Sequence, residues 1–404
     1  MNILFLSIGS LNNIEDRGIY TDLLREFRDN GHNVYVLCAR ERRMNLPTEY
    51  VNEQGVKFLR IKIGNITKTN LFEKGISTIM IERVFIKGLK TYLNNVKFDV
   101  IIYTTPPITF EKVIRYIKNR DNAKSYLLLK DIFPQNAVDL NMFSKKSFIY
   151  KYFRFKEKKL YQISDFIGCM SQGNVEYILK KNPEISPDIV EVCPNSIDPV
   201  MIIKNKEEIR KVRQKYYIPL DKTIFIYGGN LGKPQGIDFL IECLQSNSIN
   251  NKVYFLIVGS GTEFYKLKSY FDTENPNNSQ LISQLPREDY EILANSCDVG
   301  LIFLDKRFTI PNFPSRLLSY MQASMPVLAT TDVNTDIGKV IEDGEFGFWC
   351  ESNNVEDFNM KLDKLCDINI RSVMGKKARE VLENNYTSKH SYEIIMKHFR
   401  KKEA

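Results

Sequence analysis

The chain has 404 residues, of which 43% are hydrophobic and 26% are charged, an ordinary composition for about two globular domains. Its formal net charge is +8, and residues 1–200 hold 30 Lys and Arg against 22 Asp and Glu, so the excess lies in the first half, which we predict faces an anionic partner. No apolar run approaches the ~20 residues that span a bilayer, and seven scattered cysteines with three histidines argue against a disulfide framework, a metal site or a metal cofactor.

Strand-like apolar runs alternate with helical patterns along the chain, which predicts parallel α/β sheets. In the first half an amphipathic helix over 19–30 ends at Gly31, and the strand candidates are 3–8, 33–38, 100–103, 125–129, 166–170 and 189–193. The second-half strand candidates are 223–227, 253–258, 281–283, 299–303 and 327–329. A charged, helix-prone stretch over 204–216 separates the two series, and residues 388–402 form a basic helix candidate. We predict two Rossmann-like domains, over 1–198 and 199–386, followed by a C-terminal helix over 387–404.

A glycine-rich loop follows the strand at 223–227 and reads Gly228-Gly229-Asn230-Leu231-Gly232-Lys233-Pro234-Gln235-Gly236. Such a loop lets backbone N–H groups approach phosphate oxygens, and the helix that starts near Gly236 adds a positive partial charge. Lys233 supplies a full charge. The loop has neither a Walker pattern nor GxGxxG, so a plain tight turn is the alternative interpretation.

Two further segments have the same character. The next strand ends in Gly259-Ser260-Gly261, and ligands of open α/β sheets lie at the carboxyl ends of the strands. The third segment contains Pro314-Ser315-Arg316, where we expect Ser315 to be a helix N-cap and Arg316 to lie in the first turn. A Ser–Arg pair there suits an anionic diphosphate; the alternative is a capped helix with a solvated arginine.

The three segments, in this order and spacing, resemble the donor-binding domain of GT-B glycosyltransferases of retaining family 4. The resemblance extends through the first half, at Gly31-His32-Asn33-Val34, Asp131-Ile132-Phe133-Pro134, Ser171-Gln172-Gly173 and Pro194-Asn195-Ser196-Ile197-Asp198. The glycine loop and residues 314–316 look like the WbuB-like and CapL-like subgroup, capsule and O-antigen enzymes that transfer N-acetyl-L-fucosamine. The resemblance implies two domains facing across a cleft, with the C-terminal helix returning to the first.

It also implies transfer of a sugar from a UDP-sugar to a polyprenyl-diphosphate-linked sugar acceptor, with retention and without a cofactor. The family's two glutamates fall on Pro311 and Ser319, and its loop Arg and Lys fall on Asn230 and Gln235, so Lys233 and Arg316 are the cations left for the diphosphate. Across the cleft, we expect catalytic roles for Asp131 and for Lys130, which occupies the position of a family histidine; a turn residue is the alternative for Asp131. The expected nucleotide-sugar contacts are Gly229, Asn230, Gln235, Gly236, Gly259, Ser260, Gly261, Pro286, Ser315 and Ser319.

Residues 143–161 interleave seven Lys and Arg and one Glu with aromatic residues. At helical spacing, Phe148, Tyr152 and Phe155 share a stripe flanked by Lys151, Arg154 and Lys158, whereas Ile149, Phe153 and Leu160 form the stripe expected to pack on the domain. This pattern predicts a helix that binds an anionic membrane surface and the lipid-linked acceptor. The alternative is a helix buried on two sides with solvated lysines; no nucleic-acid module is recognisable. We expect a cytoplasmic protein, peripheral on the inner face of the cell membrane.

Two other functions stay open. A GT-B sugar-nucleotide epimerase shares the architecture, although it gives the basic aromatic helix no role. A non-catalytic nucleotide-sugar-binding partner is suggested by the absence of the two glutamates. A dinucleotide-dependent oxidoreductase is disfavoured, because Gly9-Ser10-Leu11-Asn12-Asn13 follows the first strand instead of GxGxxG.

Overall fold

The computed structural model describes residues 1–67, 69–202 and 205–400, and the chain divides into two compact units. Unit 1 comprises Met1–Asp198 together with the segment that begins at Ser388, and unit 2 comprises Pro199–Thr387. Lys204, the first residue of the stretch predicted at 204–216, and residues 401 and 402 of the predicted C-terminal helix lie outside the described residues. Within the described ranges, no helix combines the length and apolar character that crossing a bilayer requires.

Unit 1 is built on a sheet that, in the described residues, has eight strands. The strands are Asn2–Ser7 (β1), Asn33–Glu41 (β2), Glu49–Glu53 (β3), Val56–Ile63 (β4), Val100–Thr104 (β5), Lys124–Leu129 (β6), Phe166–Cys169 (β7) and Val190–Val192 (β8). Their order is β3-β4-β2-β1-β5-β6-β7-β8, and every pair is parallel except β3 with β4. Central strands are apolar on both faces, because helices cover both sides of a parallel sheet.

The helices of unit 1 that precede the junction are Thr21–Asp29 (α1), Leu71–Tyr92 (α2), Glu111–Asp121 (α3), Gln135–Asp139 (α4), Phe148–Ile163 (α5) and Gln172–Lys181 (α6). Helix α1 buries Leu23, Leu24 and Phe27 on one face, and Gly31 follows its end with φ +79°, a conformation that glycine adopts without strain. Helix α5 begins where the Ser147 side chain accepts a hydrogen bond from the Tyr150 N–H.

Unit 2 is a six-stranded parallel sheet within the described residues. Its strands are Thr223–Asn230 (β9), Val253–Ser260 (β10), Ser279–Ile282 (β11), Val299–Phe303 (β12), Val327–Thr331 (β13) and Gly347–Glu351 (β14), in the order β11-β10-β9-β12-β13-β14. Its helices are Lys206–Lys215 (α7), Ile237–Ser246 (α8), Phe264–Glu274 (α9), Arg287–Asn295 (α10), Arg316–Gln322 (α11), Ile337–Asp343 (α12), Val355–Lys364 (α13) and Ile368–Asn385 (α14). A switch of direction at β9, between β10 and β12, marks the point where such sheets bind ligands.

The chain then returns to unit 1 as helix Ser388–Met396 (α15). The Tyr392 ring packs 5.0 Å from the Phe27 ring of α1, and its hydroxyl is 3.0 Å from Nε2 of His32. Beyond the helix, the His398 ring stacks on Phe166 at 3.9 Å. Unit 1 therefore completes its core with residues from a second, distant segment of the sequence.

Candidate functional site

Three loops of unit 2 meet at the carboxyl ends of β9 and β10. Gly229 and Gly259 are register partners, and the Leu231 N–H donates to the Ser260 carbonyl at 2.9 Å. The third loop is joined by Arg316, whose Nη2 donates to Oε1 of Gln235 at 2.8 Å. The segments 229–236, 259–261 and 314–316, which the sequence marked separately, therefore lie together in space.

The glycines in these loops are required by close backbone packing. A Cβ on Gly259 would lie 1.9 Å from the Gly229 carbonyl oxygen, and one on Gly261 would lie 2.4 Å from the Leu231 carbonyl oxygen. Gly229 has φ +122°, and Gly236, which directly precedes α8, has φ +54°. Any larger residue would push the two loops apart. The loops therefore expose backbone close to the start of α8, the arrangement that binds phosphate groups.

Arg316 is the central side chain of this site. Its guanidinium lies 4.3 Å from the centroid of the Tyr227 ring, and the Tyr227 hydroxyl donates to the Asn230 carbonyl at 2.7 Å and lies 3.1 Å from Oε1 of Gln235. The Nη1 atom of Arg316 is buried and has no hydrogen-bond partner among the described residues. The guanidinium is therefore held by a ring and an amide and keeps unused donor capacity, unlike the freely solvated arginine considered above.

Two tyrosines that the sequence did not single out complete the wall behind Arg316. A Cβ on Gly228 would meet the Tyr290 hydroxyl at 1.9 Å, so the ring of Tyr290 packs directly on the glycine. The Tyr320 hydroxyl donates to the carbonyls of Leu301 and Ile226 at 3.1 and 3.2 Å. Tyr320 follows Arg316 by four residues in α11. This i, i+4 spacing places both residues on one face of the helix and could have identified Tyr320 from the sequence.

The remaining predicted donor residues surround the same loops. Lys233 is exposed in a 3-10 turn over Lys233–Gln235, and the described residues offer it no ion pair. Ser260 Oγ donates to Gln284 Oε1 at 2.9 Å, which links the second loop to the segment before Pro286. Ser315 precedes α11 as predicted, but its side chain makes no capping hydrogen bond; it is exposed, as is Ser319.

In unit 1, Lys130 and Asp131 follow the carboxyl end of β6. Thr105 Oγ1 accepts hydrogen bonds from both backbone N–H groups, at 3.0 and 3.2 Å, and Asn136 Nδ2 donates to Asp131 Oδ1 at 2.8 Å. Burial raises the pKa of the Asp131 carboxyl to about 6 and lowers the pKa of the Lys130 ammonium to about 8. Both groups thus change charge near neutral pH, a property that suits proton transfer or the binding of a charged substrate.

The basic aromatic helix forms as α5, with one stripe different from the prediction. Phe148 is 89% exposed and Tyr152 and Phe155 are also exposed, but Ile149, expected to pack on the domain, is 54% exposed. Phe153 does pack, at 4.9 Å from the Phe133 ring. The exposed apolar face of α5 is therefore wider than predicted, because Ile149 in its first turn is not covered by the domain.

Two of the three cations predicted to flank the aromatic stripe are engaged by neighbours. Arg154 donates to Glu157 at 2.5 Å and to Asn182 at 2.6 Å, so its guanidinium is engaged within unit 1. Lys158 forms an ion pair with Glu184 at 3.0 Å while part of it stays exposed. Lys151 is exposed beside the Phe148 ring, and a membrane role for these cations stays a prediction.

Solved structures share this architecture over nearly the whole chain. Sucrose-phosphate synthase from Thermosynechococcus elongatus matches with a TM-score of 0.76 at 15% identity, over 99% of this chain and 98% of that chain. Anabaena HepE in complex with UDP and glucose matches with a TM-score of 0.70 at 16% identity, over 98% and 99% of the two chains. The chain therefore has the GT-B fold of two α/β domains with parallel sheets, which confirms the predicted fold class.

Sequence comparisons find similar glycosyltransferase sequences. Residues 208–381, all within unit 2, match the family described as Glycosyl transferases group 1. A Pseudomonas aeruginosa protein named "Probable glycosyltransferase WbjE" is 23% identical over 336 residues, which cover 82% of this chain and 81% of that protein. Both matches are to glycosyltransferases, in keeping with the predicted class; the family, the WbuB-like subgroup, the retaining mechanism and the sugar stay predictions.

Proposed function

We propose that the chain transfers a sugar, N-acetylfucosamine by its subgroup resemblance, from a UDP-sugar to a polyprenyl-diphosphate-linked sugar in capsule or O-antigen synthesis. The observation that carries the proposal is the meeting of three loops around Arg316 at the carboxyl ends of β9 and β10. Two neighbours support it: HepE has been solved with UDP and glucose, and WbjE is named a glycosyltransferase.

In the proposed reaction, the donor diphosphate lies against unit 2. Arg316, Lys233 and the start of α8 stabilise the negative charge that develops on the leaving diphosphate as the sugar–oxygen bond breaks. The resemblance implies attack from the front face with retention, where a donor phosphate oxygen takes the acceptor proton. Arg316 must turn toward the ligand to use its buried Nη1, because that atom has no solvent access in this structure.

Asp131 and Lys130 serve the acceptor side of the proposed reaction. Their side chains follow β6 at the carboxyl edge of the unit 1 sheet, and both titrate near neutral pH. A carboxylate there can accept a hydrogen bond from a sugar hydroxyl, and an ammonium group can pair with a phosphate. Helix α5, with Phe148, Lys151, Tyr152 and Phe155 exposed, brings this unit to an anionic membrane that contains the lipid-linked acceptor.

The decisive experiment is a panel of nucleotide-sugars offered with a lipid-diphosphate-sugar acceptor and read by mass spectrometry. We expect one UDP-sugar to add a single sugar to the acceptor. An altered sugar nucleotide formed without acceptor indicates an epimerase instead, the alternative that shares this fold. Donor binding without transfer or hydrolysis indicates a non-catalytic partner, the alternative motivated by Pro311 and Ser319 at the family's glutamate positions.

A further inference from the structure

The first half of helix α2 exposes apolar side chains that neither the core nor the proposed reaction uses. Ile76 is 51% exposed, Ile79 is 60% exposed and Met80 is 39% exposed. The residues between and after them, such as Ser77 and Ile81, are buried. A helix on the surface of a globular domain normally turns polar residues to water, so this face suits an apolar or amphipathic partner.

Contacts with the sheet show where this face lies. A Cβ on Gly64, just after β4, would meet Ser77 Oγ at 2.2 Å, and a Cβ on Gly88 would meet Ile61 Cδ1, inside β4, at 2.1 Å. Helix α2 therefore runs antiparallel to β4. Its first half, with the three exposed apolar residues, lies at the carboxyl edge of the unit 1 sheet.

Helix α5 has the same orientation. Ser125 Oγ, near the start of β6, donates to the Ile163 carbonyl at the end of α5, whereas Phe133, beyond the other end of β6, packs on Phe153 in the first half of the helix. The exposed Phe148 and Ile149 therefore lie at the carboxyl edge too. This is the edge at which Lys130 and Asp131 follow β6.

A buried ion pair ties the two helices into one layer. Glu82 of α2 accepts a hydrogen bond from Lys156 of α5 at 3.4 Å, and its other carboxylate oxygen accepts one from the Lys112 N–H at the start of α3. The exposed apolar residues precede Glu82 in α2 and precede Lys156 in α5. The two apolar faces therefore lie on the same side of this ion pair, toward one edge of the sheet.

The charges on this layer favour an anionic partner. Arg83 and Lys87 of α2 are exposed, as are Lys145 and Lys146 before α5 and Lys151 within it. The carboxylates that the two helices contribute are all engaged: Glu73 with Arg42, Glu82 with Lys156 and Glu157 with Arg154. Exposed apolar residues with exposed cations beside them match the headgroup region of an anionic bilayer.

We propose that the first halves of α2 and α5 form one two-helix surface that rests on an anionic lipid bilayer. Its apolar members are Ile76, Ile79 and Met80 of α2 and Phe148, Ile149, Tyr152 and Phe155 of α5. Lys151 of α5 is its cation, and Arg83 and Lys87 follow the apolar residues of α2 in the second half of that helix. This inference rests on the proposed function and extends it, since it adds a second helix and fixes which edge of unit 1 faces the lipid. A diphosphate at the membrane surface would then meet the edge that carries Lys130 and Asp131.

The test is flotation of the full chain with vesicles of phosphatidylglycerol and phosphatidylcholine, beside vesicles of phosphatidylcholine alone. We expect the wild-type chain to float with the anionic vesicles only. The double variant Ile76→Ser/Ile79→Ser should bind them about tenfold more weakly, because it removes apolar area from the lipid contact. The matched control Ile368→Ser/Val373→Ser alters two residues of α14 in unit 2 that are 69% and 62% exposed, and it should float like the wild-type chain.

A charge variant separates electrostatic from apolar binding. The variant Arg83→Ser/Lys87→Ser should bind anionic vesicles more weakly than the wild-type chain. Added salt should reduce the difference in vesicle affinity between the two chains, because salt screens the charges. Normal flotation of the α2 variants, equal losses in the α14 control, or equal binding to neutral vesicles each overturns the inference. UDP binding, measured on the same samples by calorimetry, shows that a variant is folded, and transfer to a water-soluble acceptor tests the proposed function independently of lipid.

Discussion

At the scale of single residues, the donor site depends on how Arg316 is held. Gln235 stands where the resembling family has a lysine, and its amide oxygen accepts a hydrogen bond from the arginine. A second cation at this position would repel the guanidinium, whereas the amide oxygen orients it. The ring of Tyr227 also packs on the guanidinium, with its centroid 4.3 Å from Cζ. We therefore expect Arg316, together with Lys233, to supply the positive charge at the proposed donor site.

Arg316→Ala tests this assignment directly. The substitution removes the charge that stabilises the leaving diphosphate, so we expect kcat/KM for transfer to fall by about a hundredfold or more, with an unchanged circular dichroism spectrum. The control is Arg210→Ala, which removes an exposed arginine of α7 in the same unit. Turnover near the wild-type rate in Arg316→Ala rules out the role.

Gln235→Leu tests positioning rather than charge. The leucine has a similar volume but offers Arg316 no acceptor, and a hydrogen bond to a charged group contributes about 1.5 kcal/mol or more, so we expect the donor KM to rise about tenfold. Steady-state kinetics and UDP calorimetry measure the effect, and Gln235→Asn or Gln235→Glu should recover part of it. Gln245→Leu, at an exposed glutamine of α8, is the matched control; equal KM values in the two leucine variants contradict the positioning role.

Asp131→Asn should stabilise the chain in a pH-dependent way. Burial raises the pKa of Asp131 from 3.8 to about 6, so the folded state binds its proton more tightly than the unfolded chain does. The contribution of Asp131 to stability therefore falls as the pH rises from about 4 to 6, and the variant lacks this contribution. We expect the variant to gain about 1–3 kcal/mol relative to wild type between pH 4 and pH 8, measured by urea unfolding. An identical difference at both pH values contradicts the raised pKa.

At the scale of elements, the paired ends of β9 and β10 give the donor site its shape. Their register brings Gly229 beside Gly259, and the strand ends continue directly into the two glycine loops that we propose bind the diphosphate. The loops are thus extensions of a ladder rather than independent turns. Local backbone spacing at this point controls both the stability of unit 2 and the geometry of the site.

Gly259→Ala should therefore be costly. Its Cβ would lie 1.9 Å from the Gly229 carbonyl oxygen, and backbone must move to relieve the overlap, so we expect a loss of about 2 kcal/mol or more in unfolding free energy together with weaker UDP binding. The control Gly75→Ala lies in α2, where no atom within 4 Å opposes a Cβ, and it should stabilise unit 1 by about 0.5–1 kcal/mol. Thermal unfolding and calorimetry compare the two. If Gly259→Ala leaves the UDP affinity unchanged, the loop at 259–261 is not part of the UDP-binding site.

Many of the strands, turns and helix starts were predictable from local sequence patterns. The central strands are short apolar runs, and the glycine turns and the helix start at 315–316 are visible as letters in the sequence. The β3–β4 hairpin was missed although Gln54 and Gly55 form its turn with positive φ, a two-residue signal typical of hairpins. Helix α2 was missed because apolar residues such as Ile76 and Ile79 stand outside its buried stripe and blur the helical period.

Contacts made by tertiary packing were beyond the sequence. The approach of Tyr290 to Gly228 joins α10 to β9, and the bond from Arg316 to Gln235 spans 81 positions. The periodicity of the sequence does not predict these tertiary contacts, because each contact depends on how whole helices and strands pack together.

At the scale of the whole molecule, unit 1 is made from two separated segments and unit 2 from one. Helix α15 contributes Tyr392, Ile395 and Met396 to the core that contains Ile3 and Phe27. Those side chains are buried, so the helix is part of the apolar core of unit 1 and not an appended tail.

Tyr392→Ala should therefore weaken unit 1 selectively. Removing this buried ring leaves a cavity beside Phe27 and deprives His32 of a partner, a loss of about 3 kcal/mol. Hydrogen exchange measured by mass spectrometry should accelerate in β1 and β2 while β9 and β12 keep their protection. Tyr265→Ala, at an exposed residue of unit 2, serves as the control. Faster exchange spread evenly over both units contradicts a local role for α15.

The route of the chain through α15 also orders events during synthesis. All of unit 2 emerges from the ribosome before the segment that begins at Ser388 does, so unit 2 can finish folding while unit 1 still lacks the apolar residues that α15 adds to its core. A chain truncated near residue 387 would contain all of unit 2 but only part of unit 1. Its unit 1 would expose apolar residues that chaperones and proteases recognise.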